Sequence, residues 1–131
     1  MIHLVTGGSG SGKSAYAEQC ILDFGGTRRV YIATMQPFGA EGQARIARHR
    51  KMRAAKKFST IECYTNLKEV ELEPGSDVLL ECMSNLTANE IFDPSGAGKA
   101  RAEEEILAGV SRLAHQARNL VLVTNEIFSD G

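Results

Sequence analysis

Tryptophan is missing from this chain of 131 residues, and proline and cysteine occur only three times each. Cys20, Cys63 and Cys82 form no C-x-x-C pair and their number is odd. The sequence therefore offers no zinc spacing and no disulfide framework, and reduced, partly buried thiols are expected. No apolar run approaches the roughly 18 residues that a membrane span requires, so no membrane segment is expected. The N-terminal Met1-Ile2-His3-Leu4-Val5 lacks the basic region and long apolar stretch of a secretory signal, which makes the cytoplasm the expected compartment. An excess of either charge is lacking too: the formal net charge is -1, and 43% hydrophobic with 24% charged residues excludes a disordered tail. What remains is the composition of an ordinary globular chain, long enough for one domain spanning residues 1–131 without covalent staples.

The near-neutral total hides a local asymmetry. Arg45, Arg48, Arg50, Lys51, Arg53, Lys56 and Lys57 fall within thirteen residues that contain no acid, a cationic patch suited to phosphate groups. Nucleic acid is not an expected partner, because no Phe or Tyr interleaves with that run as a stacking platform would require.

Five short apolar runs read as strands: Ile2–Val5, Val30–Thr34, Phe58–Tyr64, Val78–Met83 and Leu120–Thr124. Those at 78–83 and 120–124 are continuously apolar, the pattern of strands covered on both faces. Helices are predicted over Lys13–Phe24, stopped by Gly25-Gly26, over Glu41–Lys57 and over Lys99–Arg118. Strand and helix alternate, so the expected fold class is α/β with a mainly parallel sheet and flanking helices. Asp93-Pro94-Ser95-Gly96-Ala97-Gly98 reads as a mobile surface loop.

Directly after the first strand and running into the first helix, Gly7-Gly8-Ser9-Gly10-Ser11-Gly12-Lys13-Ser14 follows the phosphate-loop pattern G-x-x-x-x-G-K-[ST]. The physics explains the spelling. Glycines let successive N–H groups turn toward an anion, the helix start adds its positive end, Lys13 reaches the outer phosphates and Ser14 can hold Mg²⁺. Val78-Leu79-Leu80-Glu81 ends a buried strand on a carboxylate, at the sheet edge where a second magnesium-side group belongs. By itself that signal is weak; the glycine loop gives it weight. Arg45, His49 and Arg53 recur at i, i+4 and i+8 and so share a helix face. In such a stripe a neutral imidazole can act as a nucleophile on phosphorus or as a base, although spacing alone favours a solvated basic face.

Taken with the phosphate loop, the stretches Tyr31-Ile32-Ala33-Thr34, Arg45-Ile46-Ala47-Arg48-His49-Arg50 and Val121-Leu122-Val123-Thr124-Asn125-Glu126 resemble the bifunctional adenosylcobinamide kinase and adenosylcobinamide-phosphate guanylyltransferase family. The resemblance implies a RecA-like P-loop NTPase fold. It also implies two reactions: phosphorylation of adenosylcobinamide by GTP or ATP, and transfer of GMP from GTP to the phosphorylated corrinoid through a GMP-histidine intermediate. The histidine in the matching position is His49. Nucleotide contacts implied in the same way are Gly7, Gly8, Ser9, Gly10, Ser11, Gly12, Lys13 and Ser14; Ala33, Thr34 and Met35; Arg50, Lys51, Met52 and Arg53; and Glu62 and Glu81. Ser14 and Glu81 are the implied Mg²⁺ side, Lys13 and His49 the catalytic pair, and a homotrimer the implied assembly. Members of the family continue beyond the Asn125-Glu126 motif, so the resemblance implies that the C-terminal part is lacking here. Two other readings fit the residues: a different small-molecule P-loop kinase in which His49 only contacts phosphate, and a nucleotide-binding module without turnover.

Overall fold

The computed structural model describes residues 2–7, 12–36 and 39–125. Within them five parallel strands, β1 (Ile2–Gly7), β2 (Arg28–Ala33), β3 (Phe58–Glu62), β4 (Ser76–Glu81) and β5 (Asn119–Asn125), form one sheet in the order β1-β5-β4-β2-β3. The last strand in sequence therefore sits between the first strand and the strand that ends in Glu81. That insertion is the RecA-like arrangement the motifs imply. β4 is buried along nearly its whole length, as its unbroken apolar run requires of a strand covered on both sides.

Alternation along the strands divides the core in two. Val78, Leu80, Leu120 and Leu122 face Leu86, Ile106 and Leu113 on one side, whereas Leu79, Val121 and Val123 face Ala17 and Ile21 on the other. The first side is covered by α3 (Met83–Phe92) and α4 (Ala102–Gln116), the second by α1 (Lys13–Asp23). α4 places Glu103, Glu104 and Glu105 in its first turn, against the positive end of its dipole. Its Gly109 is obligatory: a Cβ there would lie 2.7 Å from Cβ of Leu67, in the 3-10 turn Leu67–Glu69. α2 (Gly39–Ala55) keeps most of its surface in solvent, as its polar sequence dictates.

Three predicted features need correction. The run read as a strand over 78–83 stops at Glu81, and Cys82 instead caps α3, its Sγ accepting the N–H of Asn85 at 3.5 Å. α3 itself was not expected, because the i, i+4 pair that faces the core is Leu86 and Glu90, and a carboxylate in that position breaks the apolar stripe. The segment 93–98 is no loose loop. Glu90, 2% exposed, accepts the Ala97 N–H through Oε1 and the Asn66 N–H through Oε2, both at 2.9 Å, while its carbonyl accepts the Gly98 N–H at 2.8 Å. Gly96 packs so tightly on this turn that a Cβ would come within 2.7 Å of the Asn89 carbonyl oxygen.

Candidate functional site

In a parallel α/β sheet ligands collect beyond the carboxyl ends of the strands, and the sequence motifs end there. Gly7 closes β1; Glu81, Ala33 and Glu62 stand side by side in register at the ends of β4, β2 and β3. Gly8, Ser9, Gly10 and Ser11 lie outside the described residues. Gly12 does not: its φ of +83° is a left-handed conformation that glycine adopts freely, and it turns the chain into α1. Lys13 and Ser14 are consequently the first two helical residues. Gly7, Gly12 and Lys13 line a hollow of about 510 Å³ together with Thr6 and Tyr16.

On the other side of that first turn lies a cavity of about 250 Å³, lined by Ser14, Glu18, Tyr31, His49, Met52, Arg53, Lys56 and Glu81. Ser14 Oγ donates a hydrogen bond to one oxygen of Glu81, and Tyr31 donates its phenolic proton to the other at 3.0 Å. The donors that a magnesium–phosphate complex requires are thus together. A hydroxyl and a carboxylate are the hard oxygen ligands Mg²⁺ prefers, and it ordinarily completes its shell with water and phosphate oxygens. Among the described residues no group of three or more His, Cys, Asp or Glu can hold a metal unaided, so a cation at Ser14 and Glu81 would depend on phosphate.

The opposite wall is cationic. Arg53 is 6% exposed, its guanidinium carbon 3.6 Å above the Tyr31 ring. Its Nε has no hydrogen-bond partner, and among the described residues it enters no ion pair. A buried guanidinium outside any ion pair is costly unless an anion completes it. His49, one turn earlier on α2, is exposed and reaches the same cavity with Met52. Lys56 is already paired, with Glu18 at 2.7 Å in the same cavity lining.

The remaining implied contacts divide. Arg50 pairs with Glu62 beside a neighbouring cavity of about 310 Å³ that Ala54, Phe58 and Thr60 complete. Lys51 is exposed, and so is Arg45, which does not line the His49 cavity; Met35 is 37% exposed at the end of the β2 connection. Ala33 ends β2. Thr34 is fully buried as a brace: its N–H donates to the Glu81 carbonyl, its hydroxyl accepts the Cys82 N–H at 2.8 Å, and its carbonyl accepts the Asn89 side-chain N–H at 2.8 Å. Burial raises the Cys82 thiol above its ordinary pKa, so this cysteine stays a neutral packing group. Glu18 was not singled out from sequence; Lys56 was named only within the cationic patch and Tyr31 only within the stretch Tyr31-Ile32-Ala33-Thr34, neither as a residue of the site. For Tyr31 a signal existed, since a phenol inside a buried strand must find a hydrogen-bond acceptor, and the nearest strand end carries one.

Two comparisons bear on what this arrangement is. Residues 3–130 match the family described as cobinamide kinase / cobinamide phosphate guanyltransferase. The bifunctional adenosylcobalamin biosynthesis protein CobU of Escherichia coli is 35% identical over 97% of this chain and 76% of its own length, and the protein of the same name from Salmonella typhimurium is 36% identical over the same shares. With a match along almost the whole chain, and with Ser14 at the start of α1, the strand-end carboxylate and the basic helix meeting around one cavity, the chain belongs to the cobinamide kinase / cobinamide phosphate guanyltransferase family.

Proposed function

We propose that the chain phosphorylates adenosylcobinamide from a nucleoside triphosphate and then joins GMP, taken from GTP, to the adenosylcobinamide phosphate through a GMP adduct of His49. One observation supports this reading most: Arg53, buried and in no ion pair among the described residues, shares a cavity with His49, Ser14 and Glu81. In the first reaction the corrinoid hydroxyl oxygen attacks the γ-phosphorus, the bond to the β-phosphate oxygen breaks, and the hydroxyl proton leaves. In the second, an imidazole nitrogen attacks the α-phosphorus of GTP and pyrophosphate departs. The phosphate oxygen of the corrinoid then displaces the histidine, which returns neutral. Lys13 and the N-terminus of α1 hold the outer phosphates, and Arg53 offsets the charge that builds on the phosphorus being attacked. Ser14 and Glu81 would hold Mg²⁺, which when bound would neutralise charge on the triphosphate. Tyr31 and Ser14 hold the Glu81 carboxylate toward that position.

GTP labelled at the α-phosphate tests the reading directly. A phosphoramidate to histidine is labile to acid and stable to base, so label retained in alkali, lost in acid and absent from His49→Ala is expected. His49→Ala should still phosphorylate adenosylcobinamide. Wild-type protein that turns over both substrates without ever carrying label refutes the covalent route.

A further inference from the structure

Tyr31 touches both walls of the cavity. Its hydroxyl donates to Glu81 Oε1 at 3.0 Å, and its ring face lies 3.6 Å beneath the Arg53 guanidinium carbon. It is 7% exposed, held by Phe58, Leu79 and Ala17 in the core on that side of the sheet. The other Glu81 oxygen is taken by Ser14, so the carboxylate is fixed at two points and cannot rotate without breaking one of them.

We propose that Tyr31 is a positioning residue that couples the magnesium side of the site, Ser14 and Glu81, to the phosphate-charge side, Arg53. The inference rests on the functional reading above. A phenol donating to a carboxylate becomes more electron-rich, and an electron-rich ring holds a cation more strongly. Glu81, the phenol and Arg53 therefore form a chain of negative charge, polarised ring and positive charge in which each end reinforces the other. A phenol ordinarily keeps its proton throughout the neutral range, so the group serves as a donor. When phosphate engages Arg53, the same ring that supports it also holds Glu81 in place, and occupation of one side prepares the other.

Separate substitutions part the two contacts. Tyr31→Phe keeps the ring under Arg53 and removes the hydrogen bond; Tyr31→Leu removes both. Calorimetric titration of GTP into each protein, across a Mg²⁺ series and in excess chelator, reads the two sides independently. Expected for Tyr31→Phe is a roughly fivefold rise in the Mg²⁺ concentration needed for half-maximal enhancement of GTP affinity, with affinity in chelator little changed. Tyr31→Leu should in addition lose roughly tenfold in chelator, where Arg53 acts without the metal. Tyr31→Phe made in a Glu81→Gln background should add nothing to the Mg²⁺ requirement, because the partner through which it acts is altered. A Mg²⁺ curve for Tyr31→Phe that superimposes on wild type overturns the proposal. So does an equal loss with and without Mg²⁺, which is the mark of a packing role. Wild-type protein that binds no GTP under either condition refutes the nucleotide-site reading itself, and the role of Tyr31 with it.

Discussion

In the proposed function Arg53 and Lys13 both offer positive charge to phosphate, yet the structure gives them different geometry and so different sensitivities. Lys13 acts as a point charge at the start of α1. Lys13→Ala should abolish phosphoryl and guanylyl transfer together, since one lost charged contact to a reacting phosphate costs about 2 to 4 kcal/mol. Arg53 lies flat on a ring, and flatness is what lysine cannot reproduce. Arg53→Lys, which conserves charge, should therefore still weaken GTP binding about tenfold, roughly 1.4 kcal/mol, by equilibrium titration. Indistinguishable affinities would mean that charge alone matters there and that the stacking is incidental. Cys63 shows burial acting on a group outside the site. Burial, and next the Glu90 charge, push its thiol up to about 11. An unfolded thiol ionises first, so the folded state holds its full advantage below the ordinary thiol value and loses it as pH climbs toward 11. The urea midpoint should hold steady between about pH 7 and 8 and fall between about pH 9 and 11, with Cys63→Ala flattening part of that fall.

Among the elements, α3 repays the closest attention, because three of its side chains fix the connections around the site. Asn89 holds the Thr34 carbonyl, Asp93 at its C-cap accepts from Gln36 at 2.7 Å, and Glu90 ties the 66 and 97 backbones together. Glu90→Gln places an amide N–H₂ against a backbone N–H that needs an acceptor. It should cost about 2 kcal/mol and lower the urea midpoint by roughly 1 M; an unchanged midpoint would show that the 93–98 segment is secured by Gly96 packing alone. This helix was also the part of the fold least legible in the sequence. The strands and the other three helices announce themselves by apolar period, glycine stops and acid-rich first turns. α3 hides its inward face behind Glu90 and its beginning behind Cys82 and Met83, which prolong the apolar run of β4. The site was legible in a similar measure. Ser14 and Glu81 could be paired from the phosphate loop and a strand end, and His49 with Arg53 from helical spacing. Spacing could not tell that Arg53 turns inward while Arg45 stays in solvent, nor that Arg50 is drawn to Glu62, because both depend on the height of α2 over the sheet edge.

At the scale of the molecule, the sheet order decides where every group of the site can be. With strands about 4.8 Å apart, β5 separates the end of β1 from the end of β4 by about 10 Å, and α1 spans that gap by delivering Ser14 to Glu81. Synthesis runs in the other direction. A chain growing from its N-terminus completes β1, β2, β3 and β4 long before residue 119 exists, and until then β1 has no neighbour in the sheet, since its pairing is with β5. Four of the five strands can wait as two unjoined pieces, a lone strand with its helix and a three-stranded fragment whose β4 edge is bare. β5 follows the other four and pairs with both pieces at once. Ser14, at the start of α1, and the Glu81 carboxylate therefore lie on two pieces that only β5 joins in the sheet, and their contact is a late, non-local one.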